Sequence, residues 1–312
     1  MTGLTTAWLL ATRRMGAHWR TSVAVGTGIL LAAIILAFVP AYSRAMADLG
    51  LRFNVEEEAG DSALVTTVAP LRGLATTLPA AEELVAQTVA AGTGWFLEPQ
   101  DRALRTGTLR ADNVESREQA AKFTLNAVSE PGRLEVVEGA LPTPGARETV
   151  ISPEVAENLG LRVGDTIDVR FALTNCFPPP PPPPGELPPP ADPCNDEMRL
   201  EAVIPFTISG LVVAVDPEAG FWAVANADPS LIVTEEDGDL HRMFLDYGTF
   251  RRDLGTLLPS LPVFATETFA ADLTALSAAN ASGARERLDQ VTAELRASEI
   301  LVISALDDAF RA

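Results

Sequence analysis

The chain has 312 residues with 42 acidic and 23 basic side chains, so its net charge is −19. This acidity argues against a nucleic-acid-binding protein, because phosphate binding needs a cationic face. Since 47% of the residues are apolar and 21% are charged, the composition is globular and excludes a wholly disordered chain.

The residues that catalysis and metal binding need are scarce. Lys122 is the only lysine and Phe123 follows it, so the chain has no phosphate-binding loop of the G-x-x-x-x-G-K-[ST] type. No nucleophile–base motif is visible, and we expect no enzymatic activity, no cofactor and no zinc site of Cys/His type within one chain. The histidines and cysteines are His18, His241, Cys176 and Cys194.

The first 50 residues predict a membrane anchor. Residues 21–43 contain no charged side chain, and the apolar core 23–39 would span about 26 Å as a helix, close to the thickness of a bilayer core. Arg13, Arg14 and Arg20 precede this segment, whereas every acidic residue follows it. The positive-inside rule therefore predicts a transmembrane helix over 21–43, a cytoplasmic N-terminus and an extracytoplasmic domain over 44–312.

Two features of this segment leave alternatives open. Ala45, Met46 and Ala47 resemble a signal-peptidase site, so a cleaved secretory signal is the competing interpretation. Ala24, Gly28 and Ala32 recur every four residues and form a candidate packing face for another membrane helix, although chance in an alanine-rich chain explains the spacing equally well.

The segments on either side of the apolar run carry further hypotheses. Residues 1–20 fit a cytoplasmic amphipathic helix lying on the lipid surface, or else a disordered basic tail. On the other side, Pro40 is expected to end the helix, Tyr42 to lie at the interface and Arg44 to lie in water. We hypothesise that these three residues form a mechanical joint between membrane and domain.

The rest of the chain predicts an α+β fold. A strand is expected over 62–69, a helix over 79–91, further strands over 134–138, 148–151, 200–204 and 206–215, and a helical accessory region over about 267–298.

A β-α-β core is predicted after residue 148. Ser152 is placed to cap a short helix that Pro153 begins and Gly160 ends, and Ile167, Val169 and Phe171 then alternate on one face of a strand.

A proline-rich insertion interrupts this region between Cys176 and Cys194. It holds 11 of the 24 prolines, and its run of seven would form a polyproline II rod of about 22 Å. In an exported domain the two cysteines are a possible disulfide, worth about 3 kcal/mol by loop closure. The insertion is either a protruding finger that contacts a partner or a tolerated surface loop.

Several of these residues together resemble FtsX/MacB-type ABC transporter permeases. The resemblance rests on the first membrane helix followed by PAYSRAMADLGLR, on AENLGLRVGDTI at 156–167, and on FTISGLVVAVDP at 206–217. It covers residues 8–52 and 134–222. It implies a MacB-like periplasmic core domain in a cell-membrane transport subunit that converts cytoplasmic ATP hydrolysis into movement outside the membrane.

The resemblance also implies partners. Because this chain lacks a phosphate loop, the ATPase is expected to be a separate subunit, together with further permease helices or a second permease copy. The chain departs from the family pattern because no later membrane helices follow the domain, so we expect the N-terminal part of a longer permease or a truncated one. A stand-alone anchored or secreted binding protein is the alternative, and an extracellular hydrolase has little support.

Overall fold

A computed structural model describes residues 19–59, 64–72, 74–116, 119–174, 199–217, 220–235, 238–254, 261–304 and 306. These ranges leave out most of residues 1–20 and the whole insertion 176–194, which includes Cys176 and Cys194. The predictions of an amphipathic helix over 1–20 and of a Cys176–Cys194 disulfide therefore remain predictions. The helices are α1 (Trp19–Ala59), α2 (Leu74–Gly92), α3 (Pro153–Leu159), α4 (Gly220–Ala225), α5 (Tyr247–Thr249, continued by a π-helical turn, Phe250–Leu254) and α6 (Ala281–Ala297).

The strands follow one another through the rest of the described chain. They are β1 (Leu64–Arg72), β2 (Leu97–Thr106), β3 (Leu109–Ser116), β4 (Gln119–Val128), β5 (Leu134–Gly139), β6 (Glu148–Ile151), β7 (Thr166–Thr174), β8 (Arg199–Ala214), β9 (Val233–Glu235), β10 (Gly238–Phe244), β11 (Pro262–Ala271) and β12 (Leu301–Ser304). The predicted α+β class, with one N-terminal apolar helix before a mixed domain, is therefore confirmed.

The strands join into one sheet in the order β12-β1-β11-β2-β4-β3-β7-β8-β6-β10-β9, with β5 paired to β8. Since β10 also pairs with β4 in parallel, the pairings from β4 through β3, β7, β8, β6 and β10 close into a ring. Its interior holds fully buried aromatic side chains, including Phe123, Phe171 and Phe206. Outside the ring, β2, β11, β1 and β12 continue the sheet as an open part, on which α2 and α6 pack.

The β-α-β segment agrees with the sequence analysis. The Ser152 hydroxyl accepts a hydrogen bond from the backbone N–H of Val155 at 3.2 Å, and Gly160 ends α3 in the left-handed region with φ of 66°. Ile167, Val169 and Phe171 are all buried. The two strands flank β8, with β6 parallel to it and β7 antiparallel, so they do not pair with each other.

Helices α2 and α6 pack closely against one another on the open part of the sheet. A Cβ atom at Gly92 would lie 2.3 Å from the Val291 side chain, so a larger residue at this crossing would force Val291 to move. The predicted helix over 79–91 is confirmed in type but begins earlier, at Leu74, with Pro79 inside it. Burial of Leu78 in the core stabilises the extra turn and outweighs the hydrogen bond that Pro79 omits.

Two differences from the predicted strands have a physical cause. Residues 97–126 carry no clear pattern in the sequence but contain β2, β3 and most of β4. Some of their polar residues are buried and hydrogen-bonded, such as Asp101, Thr106 and Asn126, and this interrupts the apolar alternation. The strands predicted at 200–204 and 206–215 are one continuous strand, β8, in which Pro205 lies opposite Asp168.

The helical region predicted over 267–298 is wrong in its first part. Glu267 and Phe269 belong to β11, and the helix α6 begins only at Ala281. Four consecutive residues of β11, from Thr266 to Phe269, are buried because both faces of the strand are covered. A strand covered on both faces loses its alternation, so the spacing of Phe269, Leu273 and Leu276 resembles that of a helix.

Candidate functional site: the junction of the long helix with the folded domain

Helix α1 carries apolar side chains that the rest of the described chain leaves uncovered. Its large apolar residues between Val23 and Val39 are each more than half exposed. Over Trp19–Val55 the helix is long and apolar enough to cross a membrane. Because so much exposed apolar surface is unfavourable in water, this segment supports a membrane-anchored protein.

The structure corrects the prediction that Pro40 ends the membrane helix. Pro40 lies in the interior of α1, which continues to Ala59. Proline omits one backbone hydrogen bond, but the residues after it, such as Ala45 and Ala47, are strong helix formers. The rings of Phe38 and Tyr42 lie on either side of Pro40 in the sequence and stack with their centroids 6.0 Å apart. This contact joins two successive turns of the helix.

The last turns of α1 are fixed to the folded domain. A carboxylate oxygen of Asp48 accepts a hydrogen bond from the backbone N–H of Ala278 at 2.8 Å. Leu51 packs against the hydrophobic core, and Val55 is completely buried within it. The helix therefore enters the domain without an intervening loop.

The loop that receives α1 is itself braced. The Asp272 carboxylate accepts bonds from the backbone N–H and the hydroxyl of Thr274 at 2.8 and 2.6 Å, and these bonds lower the pKa of Asp272. The Asn280 side chain accepts a bond from the Ser277 N–H at 2.7 Å and donates to the Ala275 carbonyl at 2.9 Å. Ala278 is therefore held within a network of local hydrogen bonds.

The predicted site residues lie on α1 both before and after Pro40. Ala24, Gly28 and Ala32 lie in the exposed part of the helix, and a Cβ atom at Gly28 would meet no atom within 4 Å. Tyr42 and Arg44 are exposed beyond Pro40. The contact residues Asp48 and Val55 were not identified from the sequence, because their partners are distant in the chain.

A partly buried ionic network lies between α2, the open part of the sheet and α5. Arg102 bonds Glu267 at 3.0 Å, and Arg251 bonds Glu82 at 2.8 Å. Burial raises the pKa of Glu267, which the charge of Arg102 opposes. Burial, together with the charge of Glu82, also raises the pKa of Tyr247. Because each carboxylate has a guanidinium partner, the pairing offsets the cost of removing these charges from water.

Among the described residues, no group of three or more His, Cys, Asp or Glu side chains is arranged to hold a metal ion. His241 is fully buried beside Phe123, with ring centroids 5.6 Å apart, and neither ring nitrogen has a hydrogen-bond partner in the described chain. Burial lowers the pKa of His241, against the opposing charge of Asp239. It is a neutral core residue at pH 7.

The described domain also has an open groove on its surface. Its walls come from the loops around Pro131 and Pro142 and from the end of β10 at Phe244. Leu141 packs beneath it on a second, smaller core that contains Phe221 and Trp222, so these two aromatics are buried.

Neither a family model nor a characterised protein matches this chain. Among solved structures it is similar to the periplasmic region of MacB from Actinobacillus actinomycetemcomitans, with 10% identity and a TM-score of 0.37 over 80% of this chain and 92% of that one.

Proposed function

We propose that this chain is a non-enzymatic membrane subunit of an ABC transporter of the FtsX/MacB type. Its domain would lie outside the membrane and move when a partner ATPase hydrolyses ATP in the cytoplasm. The observation that carries the proposal is the continuity of α1 from its uncovered apolar segment into the domain core. The sequence resemblance at residues 8–52 and 134–222 supplies the transporter class.

The geometry of α1 supports a mechanical role. A helix of 41 residues is about 60 Å long, roughly twice the hydrocarbon thickness of a bilayer. Asp48 and Val55 join its far part to the domain through a hydrogen bond and core packing. A tilt of about 10° would displace the end of such a rod by about 10 Å. A lever of this kind requires that the helix stay rigid between lipid and domain.

The continuity of α1 changes the role that we propose for Pro40, Tyr42 and Arg44. It is a point within a continuous helix, where one backbone hydrogen bond is missing and the first charge after the apolar run appears. We propose that it marks the outer interface of the bilayer and sets the depth of α1. The proposed partners remain a separate ATPase and further permease helices or a second copy.

Orientation is the first test. Glu157 is exposed in α3, so Glu157→Cys in a Cys176→Ser, Cys194→Ser background would present a single thiol on the domain surface. We expect a membrane-impermeant maleimide to label it in intact cells. Labelling only after the cells are lysed would place the domain in the cytoplasm and contradict the proposal.

Rigidity is the second test, and it needs the complex isolated with its ATPase. A seven-residue Gly/Ser insertion between Arg44 and Ala45 would interrupt α1 while leaving the Asp48 and Val55 contacts intact. The matched control is a seven-residue helical insertion, which nearly preserves the rotational phase. We expect the flexible insertion to abolish stimulation of ATP hydrolysis by the permease and the helical one to retain it. Equal stimulation in both would contradict the lever.

The groove favours a second candidate, an anchored binding protein without a transporter role. It is open and lined mainly by apolar residues and prolines, which suits an extended apolar ligand. The discriminating variant is Leu141→Arg, which places a charge in the groove, beside a different core from the one that holds Val55 of α1. If ligand binding by the domain is lost while ATPase stimulation persists, both roles coexist; if no ATPase associates at all, the binding protein is favoured.

A further inference from the structure

The turn that follows α2, residues 93–96 and here called the tryptophan turn, holds a large aromatic side chain at the surface. Trp95 is 45% exposed, and its ring meets the ring of the buried Phe96 edge-on, with the centroids 4.6 Å apart. So large an apolar ring is unfavourable in water. Tryptophan is instead enriched where one part of the ring is in apolar surroundings and the other is wet, as in the headgroup layer of a membrane.

The backbone of the tryptophan turn is tightly held, so the exposure of its aromatic residue is part of the fold. Thr93 is completely buried, and its hydroxyl donates a hydrogen bond to the Val89 carbonyl at 3.0 Å. A Cβ atom at Gly94 would lie 2.7 Å from the Ala90 carbonyl oxygen, so the chain passes close to the end of α2. The backbone under Trp95 is therefore fixed, and only its side-chain torsions are free.

The tryptophan turn lies beside the loop that receives α1. The Phe96 carbonyl accepts a hydrogen bond from the backbone N–H of Asp272 at 2.8 Å. Further along the same loop, the N–H of Ala278 donates to Asp48 of α1. Every residue of α1 between the apolar segment and Asp48 is exposed, so the domain first meets α1 at this loop. The tryptophan turn is therefore at the end of the domain nearest to the apolar segment.

This end of the domain is free of charge along two stretches of the chain. The net charge is −19, yet no charged side chain occurs over 84–97 or over 273–284. Apart from Trp95, the exposed residues in these two ranges are Ala, Gly, Ser, Thr or Gln. Such a surface can approach lipid headgroups without removing a charge from water. The acidic residues that border it are Asp272, whose carboxylate is bonded to Thr274, and Glu98.

The length of α1 brings this surface close to the bilayer. The proposed function places Pro40 at the outer interface, and the eight residues from Pro40 to Asp48 span about 12 Å of helix. The headgroup layer on one side of the hydrocarbon core is about 5–7 Å thick. The receiving loop then lies about 5–7 Å above the headgroups. A tryptophan side chain, with the tilt of about 20° that is average for membrane helices, closes this gap.

We propose that the tryptophan turn docks the domain on the lipid headgroups of the membrane that α1 spans, with the ring of Trp95 inside the headgroup layer. The preferred surface is zwitterionic, since a chain of net charge −19 is repelled by anionic lipids. The inference rests on the anchoring by α1 that the proposed function uses, and it adds a second contact with the membrane. Two contacts define the height and the tilt of the domain over the bilayer.

Quenching by nitroxide-labelled lipids tests this contact in the full chain, reconstituted in phosphatidylcholine vesicles. Trp8→Phe and Trp19→Phe leave Trp95 and the buried Trp222 as the two fluorophores. The matched variant adds Trp95→Phe and gives the emission of Trp222 alone, which is subtracted. We expect a headgroup nitroxide to lower the Trp95 emission about twofold and to leave the Trp222 emission unchanged. A nitroxide at the end of the acyl chain should quench Trp95 less.

A tryptophan elsewhere on the surface supplies the control. Val137 is 59% exposed in β5, which pairs with β8 of the ring. Val137→Trp, in the variant that lacks Trp8, Trp19 and Trp95, should be quenched by aqueous iodide on both sides of the vesicle but not by the lipid nitroxide.

Three results would overturn the docking proposal. Quenching of Trp95 by iodide without an effect of the lipid nitroxide would place the ring in water. Protection from both quenchers would mean that a protein surface covers it, and equal lipid quenching of Trp95 and of the tryptophan at position 137 would remove the specificity of the turn. The measurement needs no ATPase and does not depend on which side of the membrane holds the domain, so this inference and the proposed function fail separately.

Discussion

Helix α1 and the folded domain both carry large apolar side chains but place them in opposite environments. Leu36 in α1 is 75% exposed, whereas Leu288, which packs over the sheet from α6, is 1% exposed. The contrast shows that apolar content alone does not define a core. A segment that contacts lipid or a partner helix has no covering layer within its own chain, whereas a segment of the domain interior is covered by other elements.

The largest expected difference between the two regions is in their response to truncation of a leucine, because truncation leaves a cavity only in the core. Leu288→Ala should lower the free energy of unfolding of the domain by about 2–5 kcal/mol, since the side chain is buried on all sides. Leu36→Ala, the matched variant in α1, should change it by less than about 0.5 kcal/mol. Denaturant unfolding of the detergent-solubilised chain measures both, and equal losses would contradict the distinction.

A second prediction uses the buried imidazole. Burial lowers the pKa of His241, opposed by the charge of Asp239, so the unfolded chain binds this proton more readily than the folded one. Stability is then fully present above the ordinary imidazole pKa of 6.5 and is lost as the pH falls below it. We expect His241→Leu to reduce the loss of stability between pH 7 and 5, measured by thermal unfolding. An unchanged pH profile would show that other groups cause the loss.

The junction between the two regions is a smaller target. Asp48→Ala removes the acceptor of the Ala278 N–H and should cost about 1 kcal/mol of domain stability. Arg44→Ala, one turn earlier and exposed, should cost almost nothing. Protease cleavage near residue 278 should also become faster in Asp48→Ala. If both variants behave alike, the contact does not fix α1 to the domain.

An effect as small as that of Asp48→Ala is expected for a locally encoded element. Ser152→Ala removes the N-cap bond of α3 and should lower stability by about 1 kcal/mol, whereas Ser152→Asp should retain most of it. Chemical denaturation resolves a difference of this size. A larger loss in the aspartate variant would show that the close packing around the buried Ser152 matters more for stability than its cap bond.

These cases show which features the sequence could predict. Helix α3 was predicted with its bounds because Ser152, Pro153 and Gly160 encode its ends locally. Strands β2 and β4 were missed because their polar groups are satisfied by distant partners, as when the Thr106 hydroxyl accepts the Leu125 N–H at 3.0 Å. Such pairings have no local signature.

The junction was only half predictable for the same reason. The apolar segment and the first charge at Arg44 follow from the sequence, and they locate the anchor. The continuation of α1 past Pro40 depends on contacts such as Asp48 with Ala278, which lie 230 residues apart. A local rule for proline therefore predicted an end where tertiary packing maintains a helix.

The central claim is that one unbroken helix links the apolar anchor to the domain. Spin labels at Leu36→Cys and Phe53→Cys, in the full chain without its native cysteines and diluted with unlabelled chain, measure it by pulsed dipolar spectroscopy in bilayers. The account predicts a narrow distance distribution centred near about 26 Å, the length of 17 helical residues. A broad distribution, as expected for a chain that leaves the helix at Pro40, would contradict it.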